Sequence, residues 1–360
     1  MRYVAGFSST GSKRPEALFG KADSSLPAHM VRASGCRVWD TAGREYLDYI
    51  MALGAVALGY GHPAVTAAAV EAIGSGVVGP LPPELEEALA ADLCGLMPWM
   101  ERVRFLKTGA EAVAAAVRLA RATTGREVVL GCGYHGWLDW CQSAEMAGVP
   151  WVTRTLFSEL SFNDPERARV QIRAAGDALA AVVFEPVIVR EPTPEWLETL
   201  RDETARCGAL LVVDEIKTAC RLAIGGGSER YSIRPDLVVL GKALANGFPL
   251  AVVGGRADVM DAVGRTWISS TLATEHVSLA AARATLGVMV REAVPRTLGR
   301  RGERLLTGLR TLADRHPGVV SGVGGLPEMC FLQYRDEALS GAVAAEAARR
   351  GLLFKRTAYN

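Results

Sequence analysis

Two charged side chains follow apolar runs of strand length in the stretch from residue 209 to residue 255. Asp214 directly follows the run Leu210–Val213, and Lys242 comes two residues after the run Leu237–Leu240. Continuous Val/Leu runs predict strands covered on both faces, as in a parallel sheet, and ligands collect at the carboxyl ends of such strands. A lysine amine condenses with an aldehyde, and a carboxylate keeps a pyridinium nitrogen protonated. Asp214 and Lys242 at one sheet edge therefore suit an imine-forming cofactor, although either charge taken alone fits an ordinary loop.

A second strand-to-loop turn supplies a candidate anion site. The strand predicted at residues 103–106 leads through Lys107 into Thr108, Gly109 and Ala110, which open a helix rich in Ala, Val, Leu and Arg. Small residues at such a turn let backbone N–H groups and the positive end of the helix dipole meet an anion. The alternative is a plain glycine break before a helix, which fits less well beside Asp214 and Lys242.

Length and composition are typical of a globular protein. Its 360 residues can bury a large core and predict one large domain and a smaller one. The formal net charge of +1 argues against a nucleic-acid or membrane-surface partner. Apolar runs are too short for a transmembrane helix or a secretory signal. The seven cysteines contain no CxxC pair, which predicts reduced thiols in a cytoplasmic protein and neither a metal site nor a disulfide framework.

Two long segments carry a family resemblance. VDEIKTACRLAIGG (213–226) and PDLVVLGKALANGFPLAVVGGRADVMD (235–261) are similar to the pyridoxal-phosphate core of the class III aminotransferases. The resemblance is strongest to the glutamate-1-semialdehyde 2,1-aminomutase branch. It implies an α/β fold of type I, with a mainly parallel sheet of the seven-stranded type covered by helices on both faces. It also implies a small α+β domain built from both termini, and a homodimer with shared active sites.

The implied division of the chain has three parts. Residues 1–55 form an N-terminal segment, residues 56–285 the large cofactor-binding domain, and residues 286–360 the small C-terminal domain. The N-terminal segment contains a predicted hairpin whose tight turn lies at Gly43.

The resemblance also assigns roles around a pyridoxal 5'-phosphate cofactor. Lys242 forms the internal aldimine and then moves a proton between substrate and cofactor, and Asp214 keeps the ring nitrogen protonated. Tyr134 stacks on the ring and Ile216 packs on its other face. His135 supports the loop that carries Tyr134, and Glu185 orders the site by hydrogen bonding. The cofactor phosphate is contacted by Thr108, Gly109 and Ala110. Thr271 contacts the phosphate of the partner subunit's cofactor.

Several positions depart from the family pattern. Ala110 stands where a Thr or Ser is usual, Glu275 replaces an Asn, and Lys217 follows Asp-Glu-Ile where the family has no lysine. The loop after Glu185 is also short, which changes a wall of the substrate pocket.

The C-terminal segment 355–360 departs further. Its last residue, Asn360, stands at the place of a glutamate that the aminomutase relatives carry. A guanidinium suits carboxylate recognition, so Arg356 is assigned to substrate binding, together with Arg14.

These departures favour an intermolecular aminotransferase that uses a small-molecule amino donor and a keto or aldehyde acceptor. An aminomutase, another reaction on the same core such as racemisation, and a cofactor-binding homologue without turnover remain as alternatives. A nicotinamide oxidoreductase is disfavoured because no GxGxxG follows the first strand.

Overall fold

The computed structural model describes residues 3–20, 23–142 and 146–356. The strands are β1 (Met30–Ser34), β2 (Arg37–Asp40), β3 (Glu45–Asp48), β4 (Arg102–Leu106), β5 (Val128–Cys132), β6 (Phe157–Glu159), β7 (Leu179–Phe184), β8 (Leu210–Asp214), β9 (Leu237–Leu240), β10 (Ala251–Gly255), β11 (Val320–Leu326), β12 (Met329–Tyr334) and β13 (Leu352–Leu353).

The helices alternate with strands through the middle of the chain. They are α1 (Pro15–Phe19), α2 (Met51–Gly54), α3 (Pro63–Gly74), α4 (Glu84–Leu96), α5 (Gly109–Thr124), α6 (Trp151–Arg154), α7 (Pro165–Ala175), α8 (Pro194–Cys207), α9 (Gly226–Arg230), α10 (Ala257–Met260), α11 (Val263–Thr266), α12 (His276–Arg291), α13 (Val294–Arg315) and α14 (Glu337–Arg349). In the described part of the chain, no helix is both long and apolar enough to cross a membrane.

By its internal contacts the chain divides into two compact units. The large unit is Ala64–Arg296, and the small unit combines Met1–Pro63 with Thr297–Asn360. The domain bounds predicted at residues 56 and 286 stay predictions. The second falls inside α12, which continues to Arg291 because its apolar face stays buried as far as Met289.

The large unit is built on a seven-stranded sheet with the order β4-β10-β9-β8-β7-β5-β6. Strands β9, β8, β7, β5 and β6 are parallel neighbours, and β10 runs antiparallel to both β4 and β9. Every residue of β7, β8, β9 and β10 is buried, which is the structure that continuous apolar runs predict.

Alternate residues of these strands face two different cores. Ala181 and Val183 of β7 pack with the apolar face of α5, whereas Val182 and Phe184 pack with α7 and α8. Helices therefore cover both faces of the sheet, so its carboxyl edge is where side chains can meet a ligand.

The small unit joins the two ends of the chain in one sheet. Strand β13 pairs in parallel with β3. Strand β2 pairs antiparallel with both β3 and β1. The predicted hairpin is present between β2 and β3: Asp40 Oδ1 accepts the N–H groups of Ala42 and Arg44, and Gly43 has a φ of 76°. Phe19 of α1 packs against Ala344, Ala345 and Ala348 of α14.

Candidate active site

The carboxyl ends of four neighbouring strands bring candidate residues to one edge of the large unit. Lys242 follows β9, Asp214 ends β8, Glu185 follows β7 and His135 follows β5. Because the strands are parallel and adjacent, these residues converge although they are far apart in the sequence.

Asp214 is held by groups from two elements. Its side chain is only 2% exposed. Oδ2 lies 2.9 Å from His135 Nδ1, and Oδ1 accepts the N–H of Ile216 at 3.1 Å. A carboxylate only accepts hydrogen bonds, so the contact places a proton on Nδ1 of His135. The imidazole also stacks on Trp140, with ring centroids 6.2 Å apart, which fixes its plane.

Lys242 opens a short 3-10 turn directly after β9. Its φ of 45° lies in the left-handed region, which is uncommon for a residue with a side chain and costs roughly 1–3 kcal/mol. Burial lowers the pKa of the Lys242 amine from its ordinary value, and the nearby positive charges of Lys217 and Arg221 lower it further. Asp214 and Glu185 act in the opposite direction. Compared with an exposed lysine, this environment stabilises the neutral, nucleophilic form of the amine.

Glu185, which follows β7, contacts residues that follow β5 and β8. Its Oε1 accepts the N–H of Tyr134 at 2.7 Å, and its Oε2 forms an ion pair with Lys217. The Tyr134 loop is tightly packed on it, because a Cβ placed on Gly133 would lie 2.8 Å from Glu185 Cγ. Tyr134 itself is 71% exposed.

The start of α5 has the geometry of an anion site. Thr108 is the N-cap: its hydroxyl accepts the N–H of Glu111 and donates to the Glu111 carboxylate, which also accepts the N–H of Thr108. The hydroxyl of Thr108 is thus already engaged. Gly109 and Ala110 occupy the first helical positions, where backbone N–H groups have no acceptor within the helix.

This helix start lies against the end of β8. A Cβ placed on Gly109 would lie 2.6 Å from Cδ1 of Ile216, and one on Gly136 would lie 2.6 Å from Cβ of Ala110. Ile216 is therefore packed on the helix start and only 3.6 Å from where a Cβ on Gly241 would lie. The anion site, the Asp214 segment and the segment before Lys242 are parts of one cluster.

A fully buried carboxylate supports the segment after β8. Glu215 accepts the N–H groups of Gly227 and Ser228, the Ser228 hydroxyl at 2.7 Å, and the Thr218 hydroxyl. Burial raises the pKa of Glu215, and these donors offset only part of that effect. Gly226 cannot carry a side chain here, because its φ is 68° and a Cβ would lie 2.1 Å from Glu215 Oε2.

The loop that contains Thr271 ends in a capped helix. Glu275 is the N-cap of α12 and accepts the N–H groups of Val277 and Ser278. It also accepts a hydrogen bond from Lys107 at 2.7 Å, and although burial opposes its ionisation, these contacts lower its pKa below the ordinary value. Since Glu275 caps the helix, Thr271 does not; its side chain is exposed.

Comparison with known proteins identifies the family. A profile for aminotransferase class-III matches residues 19–360. The chain belongs to the class III aminotransferase family. Curated relatives include the glutamate-1-semialdehyde 2,1-aminomutases of Thermus thermophilus, 36% identical with 92% of this chain and 82% of that protein covered, and of Neisseria meningitidis, 33% identical with 97% and 88% covered.

Solved structures agree with this class III aminotransferase assignment. The PLP internal aldimine form of the Sphingopyxis sp. FumI protein has a TM-score of 0.89 at 28% identity, covering 95% of this chain and 84% of that one. A transaminase with PLP bound has a TM-score of 0.86 at 25% identity, covering 93% and 87%. A β-phenylalanine aminotransferase from Variovorax paradoxus has a TM-score of 0.76 at 31% identity, covering 90% and 78%.

The predicted resemblance and the predicted α/β type I fold are confirmed. This class III aminotransferase is an enzyme of the pyridoxal-phosphate type, as the sequence indicates. The roles of individual residues stay predictions. The predicted site residues that belong to the large unit are Thr108, Gly109, Ala110, Tyr134, His135, Glu185, Asp214, Ile216, Lys242 and Thr271.

The two predicted substrate residues belong to the small unit of this class III aminotransferase. Arg356 pairs with Glu337 at 3.0 Å and donates to the Ser340 hydroxyl at 3.2 Å, with its side chain 12% exposed. The guanidinium of Arg14 lies against Gly6. Their assignment to a substrate carboxylate stays a prediction, and Asn360 lies outside the described residues.

Three contacts of the site were not predicted from the sequence. They are the His135–Asp214 pair, the Glu185–Lys217 pair and the Glu215 cluster. A local signal exists only for the last, since three glycines followed by Ser228 indicate a turn in which backbone N–H groups converge.

Proposed function

We propose that the chain catalyses amino-group transfer between a small-molecule amino donor and a keto or aldehyde acceptor, with Lys242 as the covalent attachment point of pyridoxal phosphate. The observation that carries the proposal is the convergence of three groups at one sheet edge. These are a half-buried amine at Lys242, a buried carboxylate at Asp214 and the helix start at Gly109, which lies against Ile216.

The residues present fit the cofactor. Backbone N–H groups of Gly109 and Ala110 would bind its phosphate, because both are at the positive end of a sixteen-residue helix. Asp214 would bind its ring nitrogen, with Tyr134 and Ile216 on the two faces of the ring. The Nε2 atom of His135 is buried without a hydrogen-bond partner among the described residues, a feature of a site built around a further group.

When bound, pyridoxal phosphate supplies an aldehyde for amine attachment and a ring that withdraws electrons from the attached carbon. The protein supplies the rest. The Lys242 amine carries a proton between the substrate carbon and the cofactor carbon, and the Asp214 carboxylate holds a proton on the ring nitrogen. His135 orients that carboxylate through its Nδ1–H.

The second candidate reaction is an intramolecular amine shift. The names of the curated relatives favour it, since they are glutamate-1-semialdehyde 2,1-aminomutases. The departures at Lys217, Glu275 and the segment 355–360 favour transfer between two molecules. Racemisation is a third reaction that the same residues could perform.

A spectrum followed by a donor screen tests the proposal. The purified enzyme should show an absorbance band in the visible that shifts on addition of amines, and one amino donor should convert the bound cofactor to its amine form. A matched keto acceptor should then restore the original band. An enzyme that converts glutamate-1-semialdehyde without a second substrate would instead be an aminomutase, and loss of optical activity from one amino acid would indicate a racemase. Absence of any band would contradict the proposal.

The homodimer with shared sites belongs to the same proposal. Exposed apolar side chains cluster in α3 and the segment after it, and a patch of this kind usually marks an interface. Its members are Val70, Ile73, Val77, Val78 and Leu81. Thr271 is also exposed and has no capping role, which suits a contact across the interface. A cytoplasmic location fits the seven free cysteines.

Replacement of Thr271 by alanine should weaken cofactor binding and leave the dimer intact. A lost hydroxyl bond to a charged phosphate costs about 1.5–3 kcal/mol, which corresponds to about tenfold to hundredfold in affinity. Cofactor titration and sedimentation measure the two properties.

Subunit mixing shows whether Thr271 acts across the dimer. A Lys242→Ala chain mixed with a Thr271→Ala chain forms a heterodimer in which one shared site carries both changes and the other neither. Activity and tight cofactor binding should therefore reappear on mixing. No recovery, or an active monomer, would contradict shared sites.

A further inference from the structure

Lys217 places a second amine at the edge where Lys242 lies. It comes three residues after Asp214, on the segment that follows β8, and β8 is the parallel neighbour of β9. Its side chain is 31% exposed and forms an ion pair with Oε2 of Glu185. The proposed reaction gives Lys217 no role, although it is one of the positions that depart from the family pattern.

The partner of Lys217 is a carboxylate with both oxygens engaged. The side chain of Glu185 is 9% exposed, and its other oxygen accepts the N–H of Tyr134. A buried carboxylate that loses its cation is strongly destabilised, or recruits another cation. The ammonium of Lys217 therefore keeps the Glu185 carboxylate neutralised.

Lys242 lies at the same sheet edge as that carboxylate, since it follows β9 and Glu185 follows β7, with β8 between them. The charges that act on the Lys242 amine are those of Asp214, Glu185, Lys217 and Arg221, from the segments after β7 and β8. Within the described residues, no carboxylate forms an ion pair with Lys242. Without Lys217, the negative charge of Glu185 would act on Lys242 unopposed and stabilise its protonated form.

We propose that Lys217 is a positioning residue that neutralises Glu185 and thereby shifts the Lys242 amine toward the neutral form that attacks an aldehyde. The two lysines then have different roles at the same edge: Lys217 pairs with Glu185, and Lys242 is left to attack the aldehyde. This inference rests on the proposed function, because it takes Lys242 as the attachment lysine.

Competitive labelling of the full chain, freed of cofactor, tests the inference without any turnover. A trace of acetic anhydride acetylates neutral amines, and mass spectrometry gives the labelling rate of Lys242 as a function of pH. Lys217→Gln should shift the Lys242 profile to higher pH, so that labelling near neutral pH slows about threefold to tenfold. Lys217→Arg should keep the wild-type profile, since it preserves the ion pair.

The opposite change at Glu185 separates electrostatics from structural damage. Glu185→Gln leaves the Lys217 charge unopposed, so the Lys242 profile should shift to lower pH, and the double variant should lie between the two single variants. Loss of local structure would move both single variants in the same direction. Lys107→Gln is the matched control, because it removes a lysine paired with Glu275 instead, and it should leave the Lys242 profile in place.

Two results would overturn the inference: identical Lys242 profiles in wild type and Lys217→Gln, or shifts of the same sign in Lys217→Gln and Glu185→Gln. Failure of the proposed function has a different signature. In that case borohydride would not fix a cofactor to Lys242, whatever the labelling profiles show.

Discussion

Replacement of Lys242 by alanine should abolish turnover while the protein still folds and binds cofactor. In the proposed mechanism this side chain carries both the covalent attachment and the proton, so its loss should lower kcat by at least about 10³-fold. The phosphate contacts proposed for the start of α5 do not involve Lys242 and should keep the cofactor bound with reduced affinity. Steady-state kinetics and cofactor content after gel filtration measure the two effects.

Peptide mapping identifies the attachment lysine directly. Borohydride reduction of the wild-type enzyme should fix the cofactor to the peptide that contains Lys242. Lys217 is the appropriate internal comparison, because it lies at the same sheet edge but is held by Glu185. A label on Lys217 or on any other lysine would contradict the assignment.

Replacement of Asp214 by asparagine should leave the fold intact and reduce kcat by about 10²–10³-fold. The amide oxygen can still accept the hydrogen bond from His135 Nδ1. A neutral amide cannot hold the cofactor ring nitrogen protonated, so the electron-withdrawing power of the ring falls. Kinetics, circular dichroism and the position of the visible band together report on activity, fold and the state of the ring.

Asp236 offers a matched control on the same two strands. It directly precedes β9, its Oδ2 accepts the N–H of Leu211 at 2.8 Å, and its Oδ1 pairs with Arg256. It thus lies at the amino edge of the sheet, opposite the site. Asp236→Asn should change stability more than kcat. Near-normal turnover in Asp214→Asn would contradict the role given to Asp214.

The positive φ of Lys242 and the close packing around Gly109 and Gly226 indicate how the edge is kept rigid. Side chains at the two glycine positions would collide with Ile216 and Glu215, respectively. Strain of this kind persists only where surrounding contacts fix the backbone. Here the pairing of β8 with β9 fixes the two strands that end at the site, and the Glu215 cluster fixes the segment after β8.

The sequence by itself determined the sheet strands that matter, the residues at their ends and the family. Continuous Val/Leu runs are local patterns, and burial on both faces follows from them without knowledge of the strand order. The start of α5 was predictable for the same reason, since a cap and a small-residue turn act within a few residues. Asp214 and Lys242 could therefore be named, and the long segments around them carried the resemblance to class III aminotransferases that the comparisons confirm.

Only the tertiary structure decided which side chains touch. His135 contacts Asp214 and Glu185 contacts Lys217 because β5, β7 and β8 lie side by side in the order β4-β10-β9-β8-β7-β5-β6, and Lys107 after β4 contacts Glu275 at the start of α12. No local pattern encodes that order, and a pairing between two charges depends on their separation to within about an ångström. The sequence marked Lys217 as a departure from the family, but its partner, and with it the proposed effect on Lys242, followed only from the packing of β7 against β8.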